Sequence, residues 1–202
     1  MARYTGPSNK LFRNYGVTDL SNRKLTSSMR QTASGQHGAA RKKLSDYAIH
    51  LNEKQKIRLT YLVSEKQFAK YYHEAARRKG VTGTILLQLL ESRLDNVIFR
   101  AGFAITRKQS RQIVNHGHVL VNGKRVDIPS YLVKAGDVIA VREIRKDNGT
   151  IKASAEENAS RLVPAWLEKD IEKLSGKVVA LPSREDVDIP VEEHLIVELY
   201  SK

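Results

Sequence analysis

The sequence of 202 residues contains no cysteine. This absence excludes disulfides, cysteine-based zinc or iron–sulfur sites and a thiol nucleophile. Long apolar runs are missing too, since none approaches the roughly 20 residues that a membrane-spanning helix needs. The opening residues MARYTGPSNK also lack the apolar stretch of a secretory signal. We therefore expect a cytoplasmic protein with no membrane partner, no metal and no cofactor.

Acidic residues are few compared with basic ones, 22 against 35, and the net charge is +13. Such an excess on a chain with 41% hydrophobic residues is typical of a folded protein that binds a polyanion, nucleic acid above all. Residues 1–50, 51–116 and 117–150 carry net charges of +7, +8 and +2, whereas residues 151–202 carry −4. We expect the nucleic-acid surface before residue 150 and a protein neighbour for the acidic tail.

Helix signals begin after the first 45 residues, which are rich in glycine, serine and other polar residues and predict a largely irregular segment. A cap residue followed three positions later by glutamine predicts the start of a helix. Such pairs begin at Asn52, Ser64 and Thr106. Apolar residues at helical spacing predict a further helix over residues 84–101.

The hydrophobic period changes from that of a helix to that of a strand after the Thr106 helix. Asn122 and Gly123 separate two short runs and predict a hairpin with a two-residue turn. Residues 135–143 predict another turn and strand. The stretch over residues 92–145 therefore reads as two helices followed by a small antiparallel sheet.

Basic and amide side chains share one predicted face of these two helices. If Ala104, Ile105, Ile113 and Val114 face inward, the opposite side of the Thr106 helix is polar. That side presents Arg107, Lys108, Arg111, Gln112 and Asn115, and the preceding helix presents Arg93, Asn96 and Arg100. Such rows suit phosphates and base edges, whereas a membrane-binding helix would expose apolar side chains beside its lysines.

The stretch VNHGHVLVNGKRV places His116 and His118 on either side of Gly117. A metal site would need further ligands, and a catalytic pair would need a nucleophile, but no suitable residue stands nearby in sequence. Two interpretations stay open. The histidines are ordinary capping or turn residues, or they are hydrogen-bond donors at the edge of the basic surface.

A long segment, LESRLDNVIFRAGFAITRKQSRQIVNHGHVLVNGKRVDIPSYLVKAGDVIAV, resembles the RNA-binding module of the S-four family of small-subunit ribosomal proteins. The flanks MARYTGPSNKLFR, GQHGAARKKLSDYAIHLNEKQKIRLTYLVSEKQFAKYYHEAARRKG and EEHLIVELYSK resemble that family in order and spacing. The resemblance implies a structural constituent of the small ribosomal subunit that binds its rRNA early in assembly, at a multi-helix junction near the 5′ end. It also implies contact with mRNA where it enters the subunit and, in many bacteria, repression of the protein's own message.

The resemblance implies an α+β, mainly helical fold with four segments. They are a basic, largely irregular segment (residues 1–45), a helical lobe (46–91), an inserted RNA-binding module of two helices and a small antiparallel sheet (92–150), and an acidic segment packing back on the helical lobe (151–202). We expect a ribosome-bound chain that is not an obligate homo-oligomer. A cytoplasmic and an organellar ribosome both fit.

The predicted contacts combine the resemblance with the basic surface. For rRNA they are Arg3, Lys10, Arg13, Arg93, Arg100, Arg107, Lys108, Arg111, Gln112, Asn115, His116, His118 and Lys124. For mRNA they are Arg41, Lys42 and Lys43. A C-terminal helix starting near Pro190 would meet the neighbouring small-subunit protein number five, at an interface that affects decoding accuracy, through Leu195, Ile196, Leu199 and Tyr200. The alternative is that this apolar face packs on the protein's own core.

Proteins with other functions also contain this module. RNA pseudouridine synthases and tyrosyl-tRNA synthetases contain it, and SRLDN resembles the Arg-Leu-Asp run of the synthases' catalytic site. In those synthases the module generally precedes a much larger catalytic domain, whereas only 52 residues follow position 150 here. Asp95 lies in a predicted helix, so we interpret it as an ion-pair or capping carboxylate. A heat-shock or recycling factor would need little more than the module. The long flanks that resemble the S-four family count against this alternative. We predict a ribosomal protein that is not an enzyme.

Overall fold

The structure, a computed structural model, describes residues 6–17, 32–40, 43–143, 149–159, 162–171 and 173–201. The helices in these ranges are α1 (Ser8–Asn14), α2 (Asp46–Thr60), α3 (Glu65–Arg77), α4 (Thr82–Glu91), α5 (Leu94–Arg100), α6 (Arg107–Asn115), α7 (Gly149–Glu157) and α8 (Glu193–Ser201). The strands are β1 (Val119–Val121), β2 (Lys124–Arg125), β3 (Val138–Val141), β4 (Leu167–Asp170) and β5 (Ser175–Val178). The predicted α+β, mainly helical class is confirmed. No helix within the described ranges is long and apolar enough to cross a membrane.

The chain forms two compact units. The helical unit combines residues up to 86 with residues from 189 onward, and the sheet unit comprises residues 87–188. The acidic segment, predicted to pack as a whole on the helical lobe, is thus divided between them. Residues 151–188 lie in the sheet unit, because their strands β4 and β5 extend the sheet of the module.

The helix starts agree with the capping pattern at two of three positions. Thr106 and Ser64 are the N-cap residues of α6 and α3, although the Ser64 side chain makes no capping hydrogen bond. The prediction at Asn52 is wrong, because α2 begins earlier. Its cap is Ser45, whose side chain accepts a hydrogen bond from the N–H of Ala48 (3.3 Å). Asn52 lies inside the helix.

The single helix predicted over residues 84–101 is wrong, because the chain breaks between α4 and α5. Arg93 is extended (ψ 136°) and pairs as an isolated bridge with Leu132. The N–H of Leu94 donates to the carbonyl of Tyr131 (2.8 Å), and that of Val133 donates to the carbonyl of Ser92 (2.9 Å). Hydrogen bonds to a distant loop thus replace the intrahelical ones.

The sheet is antiparallel with strand order β2-β1-β3-β5-β4. The predicted hairpin is confirmed: Asn122 and Gly123 form its turn with φ of 48° and 78°, as a type I′ turn requires. The Asn122 side chain fixes this turn to β3, because its Oδ1 accepts from the N–H of Val138 (2.9 Å). The apolar faces of α5, α6, α7 and the sheet enclose one core, which contains Trp166.

The C-terminal helix α8 packs against α2 in the helical unit. It begins at Glu193, three residues beyond Pro190. Ile196 is fully buried, and the Tyr200 ring stacks on that of Tyr72 with centroids 4.6 Å apart. Two of the four residues predicted to meet a protein partner therefore pack within the protein itself, as the alternative interpretation expected.

Tyr200 also closes a polar cluster at this contact. Its hydroxyl donates to Oε1 of Glu65 (2.8 Å), which is also 2.8 Å from Nζ of Lys54. Burial raises the pKa of Tyr200, and the hydrogen bond to Glu65 raises it further. Partial burial alone would raise the pKa of Glu65, but the hydrogen bonds from Lys54 and Tyr200 outweigh it and lower that pKa below its ordinary 4.5.

Candidate nucleic-acid interface

A buried carboxylate holds the start of the module together. The Glu91 side chain is 0% exposed, and its two oxygens accept from Nη2 and Nε of Arg100 at 2.7 and 3.0 Å. Nδ2 of Asn96 donates to the same carboxylate (2.6 Å). Arg100 also pairs with Asp188. Because a buried charge is stable only with partners, this network fixes the side chain of Arg100 inside the unit.

Asp95 forms a second buried ion pair cluster. Its Oδ2 lies 2.7 Å from Nη2 of Arg93 and 3.2 Å from Nη1 of Arg111. The Ser110 hydroxyl donates to the Asp95 carbonyl (2.5 Å), which ties α6 to α5. Asp95 is therefore an ion-pair carboxylate, as predicted.

These contacts correct the predicted exposed faces. Arg93, Asn96, Arg100 and Arg111 were expected to face solvent, and all four are buried. The reason is that Glu91 and Asp95 need cationic or amide partners in the interior. The four side chains join α4, α5 and α6.

The exposed face of α6 is defined by its first turn. The Thr106 hydroxyl accepts from the N–H of Gln109 (3.1 Å), and the Gln109 side chain accepts from the N–H of Ile105 (2.8 Å). The Gln109 side chain therefore bonds to the N–H of the residue before the cap, not to that of the cap residue itself. Ile113 and Val114 face the core, as predicted. The outer face consists of Lys108, Gln112 and Asn115, which lie within about 60° of one another around the helix.

Arg107 stands between the buried network and this outer face. It is half-buried, and its Nε donates to Oδ1 of Asn96 (3.0 Å). Its guanidinium carbon lies 4.3 Å from the centroid of the Phe99 ring, in a cation–π contact. The aromatic face and the amide hold the guanidinium in a fixed position at the rim of the helix.

The histidine pair lies at the C-terminal cap of α6. The N–H of Gly117 donates to the carbonyl of Val114 (2.8 Å), and that of His118 donates to the carbonyl of Ile113 (3.2 Å). This is a Schellman cap with its glycine at φ 66°. His116 is exposed and His118 half-buried. The capping interpretation thus holds for the backbone, while the His116 ring stays available to solvent.

The rings of the two histidines meet edge to face, with centroids 5.7 Å apart. Within the described ranges, no group of three or more His, Cys, Asp or Glu side chains could hold a metal ion.

Two arginines that sequence reasoning missed converge on this cap. A Cβ at Gly117 would lie 2.2 Å from Nε of Arg125, so the Arg125 guanidinium covers the glycine. Nη1 of Arg142 donates to the Gly117 carbonyl (3.4 Å). Arg125 is adjacent to the predicted contact Lys124 on an exposed hairpin, so the sequence alone could have identified it as a candidate contact. Arg142 is 25 residues from Gly117, and only the sheet brings them together.

We call the exposed polar residues around this cap the module surface. It comprises Lys108, Gln112, Asn115, His116, Lys124 and Arg125. Lysine and arginine bind phosphate oxygens, while amides and imidazole hydrogen-bond to sugar or base edges. The helix and the hairpin that carry these groups both pack on the core of the sheet unit, and the Arg125 guanidinium against Gly117 brings them together.

Comparison with known proteins gives matches that together cover the whole chain. Residues 3–91 match the family described as "Ribosomal protein S4/S9 N-terminal domain", and residues 92–139 match the "S4 domain". "Small ribosomal subunit protein uS4" of Acetivibrio thermocellus is 54% identical over 208 residues, and that of Ruminiclostridium cellulolyticum is 53% identical over 212. Both alignments cover all of this chain and all of the relative. The chain belongs to the uS4 family. The predicted family is confirmed, and so is the prediction that the chain is not an enzyme, since uS4 is a family of structural ribosomal proteins.

The two family matches meet between Glu91 and Ser92, where α4 ends. In this uS4 chain the buried network of Glu91 and Arg100 therefore spans the boundary of the two matched regions, which sequence reasoning also placed there.

The remaining predicted contacts lie in the basic N-terminal part of the uS4 chain. Lys10 and Lys43 are exposed. Arg13 is half-buried, and its guanidinium donates twice to the carbonyl of Thr32, at 3.0 and 2.7 Å. The other predicted positions, Arg3, Arg41 and Lys42, lie outside the described residues.

Proposed function

We propose that this uS4 chain is a primary rRNA-binding protein that nucleates small-subunit assembly near the 5′ domain, and that the module surface is its main rRNA contact. The observation that carries the proposal is the exposed face of α6, where Lys108, Gln112 and Asn115 stand opposite a buried face. Next to its C-terminal cap, the hairpin adds Lys124 and Arg125. Such a preformed set of cations and amides fits a folded RNA backbone.

The buried arginines take a different part in this proposal. Arg93, Arg100 and Arg111 were predicted rRNA contacts, but turning any of them toward RNA would leave Asp95 or Glu91 with a broken ion pair. Breaking a buried pair costs about 3–5 kcal/mol, whereas an exposed charge pair contributes about 1 kcal/mol or less. We therefore assign these three to positioning α5 and α6, and retain Arg107, held over Phe99, as a contact at the rim.

We predict that Lys108→Ala combined with Lys124→Ala weakens binding to transcribed 5′-domain rRNA. Two lost phosphate contacts should flatten the slope of log affinity against log salt by about 1.4 to 1.8, because fewer counterions are released. Fluorescence anisotropy with no other ribosomal protein present measures both quantities, and the wild-type chain must bind alone if it is a primary binder.

The matched control is Lys173→Ala with Lys177→Ala, which removes the same charge from exposed positions of the acidic segment. Equal slopes for the two double variants would argue against the module surface.

We propose that repression of the protein's own message uses the same surface. The variant should then relieve repression of a reporter carrying that message's leader, and unrelieved repression would separate the two functions.

We propose further that Arg41, Lys42 and Lys43 contact mRNA where it enters the subunit. Lys43 is exposed and precedes the Ser45 cap of α2, which supports a basic edge beside a rigid helix. Ribosomes with all three changed to alanine are expected to assemble normally and to translate a strongly structured message more slowly than an unstructured one. Equal rates on both messages would count against this contact.

The contact with small-subunit protein number five is proposed for the outer part of α8. Because Ile196 is buried and Tyr200 is engaged with Glu65, the half-buried Leu195 and Leu199 are the members of the predicted set that support it. Ribosomes carrying Leu195→Ala and Leu199→Ala should misread near-cognate codons of a reporter more often. Unchanged error frequency in assembled subunits would leave α8 a purely internal element.

A further inference from the structure

The tip of the hairpin between β1 and β2 is an asparagine followed by a glycine, Asn122 and Gly123. In such a pair the backbone nitrogen of the glycine can attack the side-chain amide of the asparagine, because glycine has no Cβ to hinder the approach. Both residues are exposed, so water can reach them. A Cβ on Gly123 would meet nothing within 4 Å. The tip therefore combines the groups that deamidation needs.

The Asn122 side chain is held against the start of β3. Its Oδ1 accepts from the N–H of Val138 (2.9 Å), and its Nδ2 donates to Oδ1 of Asp137 (2.8 Å). The N–H of Asn122 also donates to the Val138 carbonyl (2.8 Å). Both ends of the amide are thus engaged, and the side chain must release both before it can turn toward Gly123.

The acceptor of this contact is itself fixed. The other carboxylate oxygen of Asp137 accepts from the N–H of Lys134 (2.8 Å). The Asp137 carbonyl accepts from the N–H of Val178 on β5 (2.9 Å). A carboxylate accepts hydrogen bonds but donates none, so this position needs a donor opposite it. An amide at position 122 provides one, and a carboxylate does not.

We propose that Asn122 is a site of self-catalysed deamidation, which its contacts with Val138 and Asp137 suppress while the hairpin is attached to β3. In the reaction the Gly123 nitrogen forms a bond to Cγ of Asn122, and the bond from Cγ to Nδ2 breaks. The proton of the Gly123 nitrogen leaves with the Nδ2 group as ammonia, and a cyclic imide remains. Water then opens the ring at either carbonyl and leaves aspartate or isoaspartate.

Neither product restores the contact that it replaces. In aspartate a carboxylate oxygen stands where Nδ2 donated to Asp137, and two carboxylates so close together repel each other. Isoaspartate also places the side-chain methylene in the backbone, which a two-residue turn with φ of 48° and 78° does not accommodate. Deamidation therefore favours a hairpin detached from β3.

The first test compares the full chain in its folded state and in guanidinium chloride, at neutral pH and for equal times. Mass spectrometry of peptides measures deamidation at each asparagine. In the denatured chain Asn122 should react about as fast as Asn148, which precedes Gly149 and lies outside the described residues. In the folded chain Asn122 should react on the order of 10- to 100-fold more slowly, because two hydrogen bonds must break first. Equal rates in both states would overturn the suppression, and no reaction at Asn122 in the denatured chain would overturn the site.

The second test removes one of the two contacts. In the folded chain, Asp137→Ala should speed the reaction at Asn122 by about 3- to 10-fold, since the amide then keeps only its bond to Val138. Asp127→Ala is the matched control, because it removes the same charge from a side chain that is 58% exposed beyond β2. It should leave the rate unchanged, with circular dichroism confirming that both variants fold. A slower reaction in Asp137→Ala would show that the carboxylate promotes the attack, and it would contradict the proposal.

The third test concerns the product. Asn122→Asp should shift the urea transition of the sheet unit, followed by the fluorescence of the buried Trp166, to lower urea. Adding Asp137→Asn exchanges donor and acceptor, so the double variant should return the transition toward that of the wild type. A double variant no better than Asn122→Asp alone would mean that repulsion at this contact is not what the product changes.

Discussion

Replacing Glu91 with alanine is expected to lower the free energy of unfolding of the sheet unit by about 3–5 kcal/mol. The Glu91 carboxylate is fully buried and accepts two hydrogen bonds from Arg100 and one from Asn96. Its removal leaves the arginine, itself 4% exposed, in the interior with a weaker set of partners. The cost is the desolvated charge left behind rather than the loss of one attraction.

The single tryptophan makes this measurement specific to one unit. Trp166 is buried in the core of the sheet unit, so its fluorescence during urea unfolding reports on that unit. Asp188→Ala is the matched control, because it removes the other carboxylate of the same arginine at a position that is 69% exposed. Its expected cost is below about 1 kcal/mol.

Equal losses in the two variants would show that burial does not decide the strength of these pairs. The double variant Glu91→Leu with Arg100→Met gives a second check. Replacing both charges with apolar side chains of similar volume should recover much of the loss, since no unpaired charge then remains inside.

Local signals in the sequence identified the elements that depend on neighbouring residues. The Thr106 cap and the Asn122–Gly123 turn both act within four residues, and both are where the pattern placed them. The break between α4 and α5 depends on hydrogen bonds from residues 129–133, which are distant in sequence. Helical periodicity continues across that break because both helices present apolar faces, so no local pattern could reveal it. Strands β4 and β5 likewise owe their place to pairing with β3.

The candidate site shows a similar division. The sequence identifies every basic residue, but it does not show which of them a carboxylate neutralises. Lys108 and Arg111 are three positions apart on α6, yet Lys108 is exposed while Arg111 is buried against Asp95. The pairing partner lies 16 residues away on another helix. Helical spacing therefore predicted which residues share a helix face, and a tertiary ion pair explains why Arg111 is buried.

Replacing Ile196 with alanine is expected to destabilise the helical unit by about 2–5 kcal/mol, through lost burial and the cavity that remains. Ile196 is 0% exposed on α8, and neighbouring contacts depend on the same docking. Tyr200 stacks on Tyr72 and donates to Glu65, so a loosened α8 loses these contacts too. Helix α8 is thus part of the fold, and removing it should unfold the helical unit.

The helical unit has no tryptophan, so the effect of Ile196→Ala should appear as an earlier far-UV circular dichroism transition with the Trp166 transition unchanged. His194→Ala, on the same helix with a side chain 72% exposed, should leave both transitions in place.

The dependence of stability on acidic pH gives an independent check. Because the folded pKa of Glu65 lies below 4.5, its contact with Lys54 and Tyr200 contributes stability above that pH and loses it as the pH falls through the lower folded value. Glu65→Gln should therefore flatten the acid side of the helical unit's stability profile. If Ile196→Ala instead left stability unchanged and only raised misreading, α8 would be a partner-binding element and its packing on α2 incidental.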